Sequence, residues 1–131
     1  MIGLDTNVLL RYLTRDDPAQ YQTAARVIDE QLTVEERGFV SAIVVAELAW
    51  VLARSYRWPQ LQVAAAMEFL LRANALTVEH PDEVAEAISV VREGRGDFAD
   101  ALIGAIAGQA GCSHTLTFDR DALRLPGFAP V

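Results

Sequence analysis

The 131-residue chain contains no lysine, and all 11 of its basic residues are arginines. That absence excludes a Schiff-base amine, a P-loop lysine and a lysine beside a phosphoaspartate. A receiver-type phosphoaspartate switch of similar size and architecture is disfavoured on the same ground. Cysteine is nearly absent too. Cys112 stands alone, so there is no internal disulfide and no cysteine-cluster zinc site, and a reducing cytoplasm is the expected setting. The two histidines, His80 and His114, have no partner at metal-ligand spacing. No apolar run approaches the ~18 residues that would suggest a membrane span, and no basic leader of a signal peptide is visible. There is no excess of positive charge: 18 acidic against 11 basic residues give a net charge of −7, unlike the broad basic surface of a nucleic-acid coat. Repeats, low-complexity stretches and linker-like composition are absent as well.

What is there suffices for a packed core. Apolar residues make up 52% of the chain, and its 21 alanines lean toward helix. Met1–Asp5 reads as a short buried strand ending in an acid. Asn7–Thr14 has helical spacing. Asp16-Asp17-Pro18 opens a second helix that continues through Ala24, Val27, Ile28 and Leu32, with proline suited to its first turn. Arg37–Ala42 is a second strand, followed by apolar helices over Ile43–Tyr56 and Pro59–Ala73. Leu76–Glu79 is a third strand. His80-Pro81-Asp82-Glu83 opens a helix ended by Gly94 and Gly96. Asp97–Ala110 is a small-residue helix, His114–Phe118 a fourth strand and Phe128–Val131 a short fifth. Strands alternating with helices predict a three-layer α/β/α domain over residues 1–131, with a small parallel sheet of four to five strands.

In such folds ligands lie beyond the carboxyl ends of the strands, and the acids gather there. Asp5 closes strand one, Glu47 lies one turn into the helix after strand two, Asp97 and Asp100 open the helix feeding strand four, and Asp119 follows strand four. Two carboxylates 4 Å apart repel by about 4 kcal/mol at an effective dielectric of 20. Protonation or a bound cation relieves this, and oxygen ligands suit Mg²⁺ or Mn²⁺. Each acid also has a plainer role. Asp5 could cap the first helix, and Asp119 could be a turn residue. Asp97 reads more readily as an N-cap than as a ligand. Trp50, Trp58, Phe69, Leu70 and Leu71 read as core or subunit-interface residues rather than base-stacking platforms. The pairs Arg11/Arg15 and Arg92/Arg95 read first as solvated helix faces and second as phosphate contacts.

With these residues assembled, the chain resembles the PIN-domain ribonucleases, and within them the VapC-like toxins of type II toxin–antitoxin systems. The segments that carry the likeness are Gly3-Leu4-Asp5-Thr6-Asn7-Val8-Leu9-Leu10, Ser41-Ala42-Ile43-Val44-Val45-Ala46-Glu47-Leu48, Asp97-Phe98-Ala99-Asp100-Ala101-Leu102-Ile103 and Thr117-Phe118-Asp119-Arg120-Asp121. The resemblance implies an endoribonuclease in which Asp5, Glu47, Asp100 and Asp119 hold Mg²⁺ or Mn²⁺ and carry catalysis, with Thr6, Asn7, Ser41 and Thr117 as supporting donors. Asp97 is an extra acid beside the third position. A homodimer and a cognate antitoxin are implied as partners, the antitoxin lying along Ile43–Tyr56 and Pro59–Ala73. The alternatives are a non-catalytic metal-binding adaptor of the same fold and a DNA nuclease of related chemistry, because no residue in the sequence reads the 2′-hydroxyl.

Overall fold

A computed structural model describes all residues, Met1–Val131. Four strand-to-strand connections order the chain. Strand β1 (Ile2–Gly3) leads through α1 (Thr6–Thr14) and α2 (Pro18–Ala25) to β2 (Gly38–Val40). Helices α3 (Ala42–Arg54) and α4 (Gln60–Arg72) lead to β3 (Leu76–Val78). Helices α5 (Pro81–Arg92) and α6 (Phe98–Gln109) lead to β4 (Thr115–Thr117), and a 3₁₀ turn (Ala122–Arg124) leads to β5 (Phe128–Pro130). Every strand pair is parallel, so the first three connections are crossovers carrying two helices each. Parallel strands with helices layered over them make the α/β/α architecture expected above.

Two details differ from the sequence expectation. The five strands form two ladders, β1-β2-β3 and β4-β5, with no hydrogen-bonded pairing between β1 and β4. Strand β1 is also not buried: Ile2 is 46% exposed, and only Leu4, just beyond it, reaches the core. The second helix ends differently as well. After Ala25 the chain widens into a π-helical stretch, Arg26–Gln31, closed by the Leu32 N–H on the Val27 carbonyl at 2.9 Å. Ile28 and Leu32 both remain buried through this change.

Helix starts follow local chemistry. Asp17 caps α2 through Gln20 N–H at 3.1 Å, with Pro18 in the first turn. Ser41 caps α3 through Val44 N–H at 3.2 Å. A single core joins all these elements, built from Leu9, Val40, Leu48, Leu52, Met67, Leu70, Val84, Phe98 and their neighbours. Ion pairing fastens the surface where α1 ends. Arg11 bonds Asp16 at 3.1 Å and Gln20 at 2.6 Å, while Tyr56 donates to Asp16 at 2.5 Å. The Tyr56 hydroxyl, with help from Thr14 and Arg11, holds the Asp16 carboxyl below the usual carboxylate range.

One glycine sets how closely two site-bearing segments approach. A Cβ at Gly96 would lie 2.6 Å from Leu125 Cδ2, and Leu125 is buried. Gly96→Ala is therefore expected to force a shift of the turn that follows Asp119, at about 1–3 kcal/mol. Urea unfolding should show a lower midpoint with an unchanged slope; an unchanged midpoint would mean that this contact yields freely.

Candidate functional site

The first part of the site is built at the end of β1. Asp5 caps α1, its Oδ1 accepting the Thr6 N–H at 2.9 Å. Thr6 turns the other way: it is the one buried polar residue, 4% exposed, and its Oγ1 donates to Glu47 Oε1. Helices α1 and α3 pack together, so this hydrogen bond orients an exposed carboxylate 41 residues further along the chain. Thr6 thus contacts one of the acids singled out in the sequence, and Glu47 itself stands at the exposed side of its apolar helix.

The second part forms where α6 begins and β4 ends. Asp97 is the N-cap of α6, and its Oδ1 accepts the Asp100 N–H at 2.8 Å. Gln60, opening α4, accepts the Phe98 N–H at 2.8 Å, which satisfies another free donor of that helix start. Asp119 leaves β4 in a tight turn. Its N–H donates to Thr117 Oγ1 at 3.0 Å, and its Oδ1 accepts the Asp121 N–H at 2.9 Å. These turns bring Asp97, Asp100, Asp119 and Asp121 around one cleft of about 650 Å³.

The electrostatics of that cleft are unfavourable in isolation. The Asp100 carboxyl is pushed above its ordinary value, first by partial burial, then by the charges of Asp97 and Asp119, the hydrogen bond with Asp97 and the charge of Asp121. Arg54, Arg92 and Arg124 line the same cleft. Arg92 is engaged by Glu68, but Arg54 and Arg124 make no ion pair with any carboxylate. Arg54 lies two turns beyond Glu47 on α3, and α3 packs against both α1 and α6. That helix therefore links the two parts of the site.

The acids singled out in the sequence thus stand as two groups: Asp5 with Glu47 through Thr6, and Asp100 with Asp119 beside Asp97 and Asp121. No three acidic, histidine or cysteine side chains are disposed to enclose one ion. The donors are nonetheless all hard carboxylate oxygens, and Asp97, Asp119 and Asp121 add to the burial that raises the Asp100 pKa. That chemistry fits a divalent cation that keeps most of its waters and takes one or two carboxylates directly. The sequence reading missed Arg54, Gln60, Asp121 and Arg124. Helical spacing from Glu47 could have found Arg54; no local pattern marks the other three. Two arginines considered for phosphate contact are occupied: Arg11 by Asp16 and Arg15 by the Tyr21 ring, 4.6 Å from its centroid.

The profile of the PIN domain matches residues 2–127. A protein of Aquifex aeolicus (strain VF5), a VapC ribonuclease, is 29% identical over 128 residues, covering 98% of this chain and 93% of that one.

The Asp100 shift has a consequence for stability. Its folded value lies above the unfolded one, so the folded state holds the proton more tightly. Stability therefore falls as pH rises from the ordinary carboxylate range through the raised value, and the deficit persists above it. In metal-free buffer Asp100→Asn is expected to melt higher than the wild type at neutral pH, with the gap closing in acid. Equal melting temperatures at neutral pH would show that Asp100 carries no such strain.

Proposed function

Because the chain belongs to the PIN domain family, we propose that it is a metal-dependent endoribonuclease, the toxin of a VapC-like toxin–antitoxin pair, formed by residues 1–131 as one nuclease domain. The observation that carries this reading is the cleft in which Asp97, Asp100, Asp119 and Asp121 crowd together while Arg54 and Arg124 have no carboxylate partner. Negative side chains that need a cation, beside positive ones that lack an anion, suit a phosphodiester approached together with a metal ion. RNA as the substrate is supported by the likeness to the VapC ribonuclease.

Asp5, Glu47, Asp100 and Asp119 would hold Mg²⁺ or Mn²⁺, which supplies charge neutralisation at the phosphoryl oxygens and a more acidic water. The chain's own groups do the rest. One carboxylate, Asp119 or Asp100, would orient the attacking water and accept its proton as general base. Asp97 caps α6 and so fixes the Asp100 backbone. Thr6 holds Glu47 in one orientation. Arg54 and Arg124 bind non-bridging phosphate oxygens and position the strand.

We place the protein in the cytoplasm as a homodimer with a cognate antitoxin on the apolar helices α3 and α4. No helix is long and apolar enough to cross a membrane. A short reading frame for a basic DNA-binding protein beside the gene would support the toxin assignment; a gene standing alone would argue for an independent nuclease.

Purified protein with Mn²⁺ should cut RNA, and EDTA should stop it. Asp5→Asn, Glu47→Gln, Asp100→Asn and Asp119→Asn should each lower kcat/KM by roughly a hundredfold or more, since each removes part of several kcal/mol of transition-state stabilisation. Cleavage that survives both EDTA and Asp5→Asn rejects the mechanism, and equal cutting of DNA rejects the choice of RNA. Thr6→Val should lower activity about 10–100-fold by freeing Glu47, with Thr6→Ser restoring most of it. Full activity in Thr6→Val would show that this hydrogen bond is structural only.

A further inference from the structure

Trp50 does not belong to the core, contrary to one of the roles expected of it. It is 53% exposed and sits on α3 between two residues already placed at the site. Glu47 is three residues before it and Arg54 four after it, so all three share one face of the helix. The Arg54 guanidinium lies 5.5 Å from the centroid of the Trp50 ring, and Arg54 also lines the cleft with Asp97, Asp100 and Asp119. The indole is thus held against an arginine that no carboxylate engages.

We propose that Trp50 and Arg54 form a nucleotide subsite beside the acids, in which the indole stacks on an unpaired base and the guanidinium holds the adjoining phosphate. The assignment rests on the nuclease reading above and adds to it the residues that position the strand. RNA is favoured over a protein partner by charge and continuity. Arg54 and Arg124 are cations without carboxylate partners in a chain whose net charge is −7. The ring reaches the cleft through Arg54, which lies against the indole and lines the cleft. Stacking needs a base free of its duplex partner, so the subsite takes single-stranded RNA. Phe118, 89% exposed directly before Asp119, offers a further ring near the same acids.

Trp58→Phe leaves Trp50 as the sole tryptophan, and its fluorescence reports on stacking. In EDTA, titration with a short single-stranded oligouridylate should quench it saturably. Trp50→Ala should weaken binding of the same oligomer roughly tenfold, the lower-middle of the range for one lost base–aromatic stack. Trp50→Phe should restore most of the loss, and Arg54→Ala should make binding less sensitive to salt. In Mn²⁺, Trp50→Ala should raise KM with kcat within about twofold. Unchanged binding by Trp50→Ala would overturn the proposal, and an altered sedimentation coefficient of that variant would make Trp50 a protein contact instead. Should RNA quench Trp50 yet never be cut with Mn²⁺ present, the nuclease reading fails while the subsite stands. Cleavage without quenching fails the subsite alone.

Discussion

Repulsion among carboxylates at the start of α6 and the end of β4 is the constraint around which this molecule is arranged. Burial and three neighbouring acids together raise the Asp100 pKa. A fold selected for stability alone would have no reason to hold these groups at one cleft. The surrounding chain is arranged to keep them there. Asp97 spends one oxygen on the Asp100 amide, Gln60 reaches from α4 to the Phe98 amide, and Gly96 allows Leu125 to close against the turn. Each of these contacts fixes backbone and so holds Asp100 among the other acids of the cleft.

The other half of the site is arranged differently. Asp5 and Glu47 belong to separate helices, and Thr6 joins them with the chain's one buried polar side chain. A buried hydroxyl must find a partner or lose its desolvation energy, so burying Thr6 effectively dictates where Glu47 points. Helix α3 then serves twice. Its inner face, with Val45, Leu48, Ala49 and Leu52, is core, while its outer face presents Glu47, Trp50 and Arg54 in register. An amphipathic helix ordinarily shows water a bland polar surface; this one carries the two sides of the site toward each other.

Much of this was legible in the sequence because it depends on local rules. Asp17-Pro18 and Asp97 mark helix starts that the structure bears out, whereas Ser41, read as part of the second strand, caps α3; the switching of periodicity locates all five strands to within a few residues. The acids at strand ends follow from parallel topology, since side chains just past β1 and β4 must fall on the carboxyl edge. What escaped was governed by distant pairing. No pattern near Gln60 announces that it will satisfy the amide of Phe98, 38 residues away. Nothing around Met1–Asp5 shows that β1 will lack a neighbour on one side or that Ile2 will stand half in solvent. Arg54 and Arg124 are ordinary helical and turn arginines until packing sets them beside carboxylates that they do not bind.

The missing pairing between β1 and β4 leaves two bare strand edges, and their brevity is what makes this tolerable. An unprotected edge is normally a template on which another chain can build a continuous ladder. Here β1 offers two residues and β4 three, too few to register a foreign strand before thermal motion removes it. The molecule thus defends itself against amyloid-like stacking by curtailing its own extended segments, without gatekeeper lysines, of which it has none.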